Sequence, residues 1–291
     1  MKKQQEEFYP AALTIAESDS GGGTGIQADL RTFNAAGIYG ASVITAVTAQ
    51  NPRRMATAEV CSAVLVGKQL ECVLDALAIK AVKTGWLGDE NIARTVAESL
   101  RRCRLPLVVD PVMISTSGQK LLPGKGMDIV RNELLPQAAI ITPNPAEAAW
   151  LLDCQALAAD GLADAARALS DKFHCDVLLK GWGSGKHPRA EDYAVIGGKL
   201  YVVSSPAITD LSEFAAHGAG STFSAAVTAM LAMNSSMKDA VRAAKAHVYG
   251  ALCETANIGK GLDGMYPPLE DYSSQIAMRP VGAAPGGKRG R

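Results

Sequence analysis

The chain has 291 residues, 48% of them hydrophobic, which suits one large α/β domain with a sizeable core and excludes wholesale disorder. Lys+Arg and Asp+Glu both number 29, so no charge excess points to nucleic acid or an anionic membrane. No stretch of membrane-spanning length lacks charges or turn residues.

Residues 1–10, "MKKQQEEFYP", carry two lysines but no apolar h-region, and read as an N-terminal extension rather than a secretory signal. "AALTIAES" then predicts a short buried strand, broken by "DSGGGTG". "IQADLRTFNAAG" follows with Ile26, Leu30 and Phe33 on one helical face. "YGASVITAVTAQ", rich in β-branched residues, predicts a long strand, and residues 59–77 a helix. "AIKAVKTG" is a strand, and 89–103 a helix repeating at Ile92, Val96 and Leu100. "LPLVVDPVM", "AAIITPN" and "CDVLLKG" are further buried strands. "YAVIGGKLYVVSS" is a hairpin turning at Gly197-Gly198. Two helices, at 219–233 and 237–257, follow.

Strands alternating with helices imply β-α-β units and a mostly parallel sheet covered on both faces. No Pro-, Gly- or Ser-rich linker divides residues 11–270, which read as a single domain, and 271–291 have the composition of a mobile tail. The six cysteines form no C-x-x-C pair and read as reduced thiols, in keeping with a cytoplasmic protein.

Two glycine loops fail familiar patterns. "DSGGGTGIQ" lacks the last glycine of G-x-G-x-x-G, and "KGWGSGKH" has Lys180 and His187 where a Walker loop needs Gly and Ser or Thr. Glycines still let a ligand approach the backbone, and open α/β sheets bind ligands beyond the carboxyl ends of their strands. In "AHGAGST", Gly218, Ala219 and Gly220 lead into a helix, whose start carries free N–H groups suited to phosphate. The plainer alternative is that Ser221 or Thr222 only caps that helix. In "TPNPAE", Asn144 and Glu147 could serve a Mg²⁺ shell, directly or through water, or could simply cap a helix begun by Pro145. Spacing alone favours capping.

Taken together, "ALTIAESDSGGGTGIQADLRTF", "YGASVITAVTAQN", "VKTGWLGD", "VVDPVM", "ITPNPAEA", "LLKG" and "HGAGSTFSAA" resemble, in order, the ribokinase-like superfamily. Within it the chain looks most like the hydroxymethylpyrimidine/phosphomethylpyrimidine kinases of thiamine biosynthesis, with pyridoxal kinases the nearest rival. The resemblance covers about residues 11 to 262. It implies a three-layer α/β/α sandwich, ATP as phosphate donor with Mg²⁺, a hydroxymethyl acceptor and a homodimer. By position it implies Asp29, Gln50, Thr24, Trp86 and Val112 at the substrate, and Asn144 and Glu147 at Mg²⁺ and phosphates. Lys180 would lie near the phosphates, Gly218 to Gly220 would form an anion hole, and Ser221 would face the acceptor hydroxyl.

Several positions depart from that pattern. Ser221 stands where the family has Cys or Asp, and a serine hydroxyl is seldom ionised at neutral pH, so slower chemistry is expected. Glu17 replaces a glycine, Thr24 an alanine and Trp86 a methionine-like contact. Trp182 interrupts a Gly-Gly pair and Ala216 replaces a threonine. Altered acceptor choice, or a binding module without turnover, are the alternatives these changes raise.

Overall fold

The computed structural model describes residues 9–113, 121–122, 125–181, 188–212 and 214–282. Its first half comprises β1 (Ala11–Asp19), α1 (Gly25–Ala35), β2 (Tyr39–Asn51), β3 (Arg54–Val60), α2 (Ala63–Ala76), β4 (Ile79–Thr84), α3 (Glu90–Leu100), β5 (Leu107–Val109), α4 (Gly126–Ile129) and β6 (Ile140–Ile141). The second half comprises α5 (Pro145–Leu151), α6 (Leu162–Phe173), β7 (Asp176–Leu179), β8 (Arg189–Ile196), β9 (Lys199–Pro206), α7 (Ala219–Ala232), α8 (Met237–Cys253), β10 (Ala256–Gly259), β11 (Leu262–Gly264) and β12 (Ala277–Pro280).

One 10-stranded sheet runs in the order β12-β9-β8-β7-β6-β5-β4-β1-β2-β3. Pairings from β7 across to β2 are parallel, while β3, β8, β9 and β12 add antiparallel edges. Alternate strand residues feed two cores. Leu13, Val82, Val109, Ile141 and Val177 face α2, α3, α5 and α6. Ala12, Ala81, Val108, Ile140 and Leu178 face α7 and α8, with Phe33 of α1 joining them. Two-residue alternation in strands flanked by helices on both faces is the expected three-layer sandwich.

The second face is built from small side chains. Ala12 and Ala81 on the sheet meet Ala225, Ala226 and Ala229 on α7. A helix apolar nearly all round is a buried one. Small residues let α7 lie close to the sheet, so its start reaches the carboxyl ends of the central strands.

Three local expectations change. Residues 54–60 form edge strand β3 rather than leading into a helix, because Asn51 turns the chain with its side chain accepting from the N–H groups of Arg53 and Arg54. The last helix stops at Cys253, and a hairpin follows through Gly259, Lys260 and Gly261, all at positive φ. The stretch expected to be a mobile tail contains β12, which pairs with β9 after a buried Ile276. No helix among the described residues is long and apolar enough to cross a membrane.

Candidate active site

A cavity of about 980 Å³ runs along the carboxyl ends of the parallel strands. Its walls divide by chemistry into an apolar end, a charged centre and a small mixed pocket.

The charged centre starts with α7. Gly218 holds φ +87, and a Cβ there would lie 1.8 Å from the carbonyl oxygen of Gly23, so the two glycine loops pack backbone to backbone. Gly218→Ala is therefore expected to be strained twice, by its φ and by that clash. A lower urea midpoint, with the variant still folded by circular dichroism in the absence of urea, is the expected result. Gly218 is the N-cap and no side chain caps the helix, so neither Ser221 nor Thr222 has the capping role. The N–H of Ala219 is taken by the carbonyl of Ala216 at 3.1 Å, which removes Ala219 as an anion donor. Gly220 and Ser221 begin the first turn at the cavity wall.

Lys180, just beyond β7, meets that helix start. A Cβ on Gly220 would lie 3.1 Å from its ammonium nitrogen. Lys180 Nζ donates to Asp110 Oδ1 at 3.0 Å, and Asp110 also accepts from Thr142 and Ser224 at 3.2 Å each. Burial works against the ammonium charge, but Asp110 and Glu147 hold Lys180 above the ordinary lysine range. Asp110, within "VVDPVM", was not singled out from sequence. It becomes visible only when the ends of β5, β6 and β7 converge.

Asn144 and Glu147 form a capping box at the start of α5: Asn144 Oδ1 accepts from the Glu147 N–H, and Glu147 Oε2 from the Asn144 N–H, both at 2.9 Å. Capping and a site role are not exclusive, because the Glu147 carboxyl also lines the cavity and faces Asp110 and Lys180. Burial first, and the Asp110 charge against the relief from Lys180, push Glu147 up to about 8. Two buried carboxyl groups sharing one lysine are short of positive charge, and that deficit is what a divalent cation held by Asp110, Glu147 and Asn144 would meet.

The mixed pocket holds Glu17, Thr24, Gln50, Trp86 and Val112. The Asp19 carboxylate shapes one wall by accepting the N–H groups of Gly21, Gly23 and Thr24 at 2.7 to 2.9 Å. This turn explains why a strand ends in Asp followed by glycines; Asp19 too was not singled out. The Thr24 and Ser221 hydroxyls lie 2.9 Å apart. Trp86 is fixed by its indole N–H to the Leu121 carbonyl at 2.9 Å, so its ring is a set part of the wall. His217 borders the cavity beside Gly23, and burial keeps its imidazole below the ordinary histidine range.

Asp29 does not belong to this pocket. It is fully buried on α1, paired with Lys83 at 2.6 Å and accepting from Thr14 at 2.6 Å. Its expected substrate contact is replaced by an ion pair behind the pocket wall. Trp182 lies outside the described residues. Ala216 does line the cavity.

The apolar end is formed by Ile208, Leu211, Val248, Tyr249 and Leu252. Beside it, Asp192 accepts from the Gly181 N–H at 2.8 Å and from Lys245 at 2.7 Å, tying the turn after β7 to α8. An apolar slot, a helix start beside a lysine and a mixed pocket lie along one cavity, an arrangement suited to the class of phosphoryl-transfer enzymes.

The comparisons narrow that class. A family model described as phosphomethylpyrimidine kinase matches residues 19–266. A hydroxymethylpyrimidine/phosphomethylpyrimidine kinase of Rhizobium meliloti is 43% identical over 254 residues, covering 86% of this chain and 94% of the relative. A chloroplastic thiamine biosynthetic bifunctional enzyme of Arabidopsis thaliana is 39% identical over 265 residues, covering 90% of this chain and 50% of the relative. Among solved structures, the pyridoxal kinase of Staphylococcus aureus in complex with AMP-PCP and pyridoxal superposes with a TM-score of 0.82 at 29% identity, covering 94% and 100% of the two chains. The chain belongs to the phosphomethylpyrimidine kinase family.

Proposed function

We propose that this chain transfers the γ-phosphoryl group of ATP to the hydroxymethyl group of 4-amino-5-hydroxymethyl-2-methylpyrimidine, to its monophosphate, or to both, in thiamine biosynthesis. The carrying observation is the meeting of the α7 start, Lys180 and the Asp110/Glu147 pair between an apolar slot and a mixed polar pocket. The apolar slot takes the adenine. The Gly220 and Ser221 N–H groups and Lys180 stabilise charge on the moving phosphoryl group. Asp110, Glu147 and Asn144 would hold Mg²⁺, which would neutralise charge on the donor phosphates.

Ser221 is the sharpest probe of this site. Its hydroxyl shares a hydrogen bond with Thr24, so it orients the acceptor hydroxyl rather than taking its proton early. ADP release with Mg²⁺-ATP and the pyrimidine alcohol is expected for the natural chain, rising about 10-fold in Ser221→Cys, where thiolate is accessible. Absence of turnover in both at high enzyme concentration would sink the proposal. Turnover of pyridoxal alone would move the chain to the second reading, for which the resemblance to the Staphylococcus aureus structure speaks.

A further inference from the structure

Glu17 stands in the mixed pocket at a break in strand pairing, where the β1–β2 ladder passes from Ala16–Ile44 to Ser18–Val47. It is 7% exposed, and its carboxyl accepts a hydrogen bond from its own backbone N–H. One such bond leaves most of a buried carboxyl's hydrogen-bonding capacity unmet, which is costly unless something else completes it. Lys83 is near, since a Cβ on Gly85 would lie 3.7 Å from its ammonium and 4.0 Å from Glu17 Oε2, but Lys83 is committed to Asp29 at 2.6 Å. On the other side, a Cβ on Gly25 would lie 3.1 Å from the carboxyl. Glycine at both flanks gives the group room, and the open direction is the cavity.

We infer that Glu17 reads the ring edge of the acceptor, forming a paired hydrogen bond with an exocyclic amine and the adjacent ring nitrogen, and so selects an aminopyrimidine over a pyridoxal-type ring. This rests on the phosphotransferase reading of the site. A carboxylic acid offers an acceptor oxygen and an O–H donor side by side, matching an amine next to an imine-type nitrogen. A carboxylate facing the protonated ring has the same two bonds with the proton moved across. Burial pushes Glu17 up to about 7, with its own backbone N–H and then Lys83 drawing it down and Asp29 and Asp19 raising it, so the proton needed is present near neutrality. Gln50 offers a second donor and acceptor, while Trp86 and Val112 supply apolar wall for a flat ring.

The positions close on each other. In the aminopyrimidine, the amine and the hydroxymethyl group occupy neighbouring ring carbons, so their readers must be neighbours. The Glu17 carboxyl abuts Gly25, the next residue is Thr24, and the Thr24 hydroxyl is 2.9 Å from Ser221. Pyridoxal carries a hydroxymethyl group but no amine beside its ring nitrogen, and would give the Glu17 carboxyl no matching ring edge.

The test compares kcat/KM for the pyrimidine alcohol and for pyridoxal in the natural chain, Glu17→Leu, Glu17→Gly and Glu17→Gln. Leucine and glycine are expected to lower the pyrimidine value about 10- to 100-fold and to leave pyridoxal unchanged or improved. Glutamine, which keeps an acceptor and a donor in the same order, should remain within about 10-fold of the natural chain on the pyrimidine. An equal fall for both acceptors, or an unchanged ratio in all variants, would overturn the inference. If the natural chain phosphorylates neither compound, calorimetric binding of the pyrimidine alcohol separates the two ideas. Weaker binding in Glu17→Leu but not Glu17→Gln upholds the role of Glu17 while the kinase reading fails. Equal binding, or none, removes it.

Discussion

Lys180→Met is expected to lower kcat about 10²- to 10³-fold while leaving KM for the pyrimidine alcohol nearly unchanged. The ammonium sits where three features meet: Asp110 at 3.0 Å, the helix start at Gly220, and the Glu147 carboxyl across the cavity. Its charge is most useful when negative charge spreads over the transferring phosphoryl oxygens, so its removal should weigh on the chemical step rather than on acceptor binding. The acceptor pocket is built from other elements, β1, β2 and the turns after β4 and β5, which is why KM should hold. Lys180→Arg should recover only part of the rate, because a planar fork does not reproduce a compact charge in this space. Steady-state ADP release and a single-turnover measurement together check the split. A fall below about 5-fold, or one confined to KM, would place the phosphoryl group away from Lys180.

How far this site could be read in the sequence depended on whether the signal was local. The start of α7, the Asn144–Glu147 spacing and Lys180 sit in short motifs, and the structure brings all of them to one cavity. Asp110 and Asp19 lay inside quoted stretches yet carried no local signature. Asp110 gains meaning from Lys180, 70 residues away, and Asp19 from the loop it folds around itself. The burial of Asp29 was legible in the sequence. Ile26, Asp29 and Phe33 are spaced three and four apart, so the helical face that buries Ile26 and Phe33 buries Asp29 as well. In the fold, parallel strands with continuous apolar runs were plain, whereas β3 was not. All seven of its residues are exposed or half-buried, so it shows no alternation between core and solvent. β12 was hidden for a similar reason: its register is set by β9, not by its own composition.

The ion pair behind the pocket carries the largest expected effect on stability. Asp29→Leu alone should cost about 3–5 kcal/mol, because it strands the Lys83 ammonium at 1% exposure and removes the acceptor of the Thr14 hydroxyl. Lys83→Met should cost less, since burial already raises the proton affinity of Asp29 and a protonated carboxyl can keep its bond to Thr14. The double variant Asp29→Leu/Lys83→Met should be more stable than Asp29→Leu, because no charge is then left unpaired in the core. Urea unfolding with a constant m value measures all three. Additive losses in the double variant would show that the two residues do not act as a pair. The same variants test the corrected place of Asp29 in the site. A residue that touches substrate would raise KM for the pyrimidine alcohol. A residue that only holds Lys83 should leave KM of the folded Asp29→Leu chain within about 3-fold while unfolding shifts to lower urea, and a larger rise in KM would return Asp29 to the acceptor pocket.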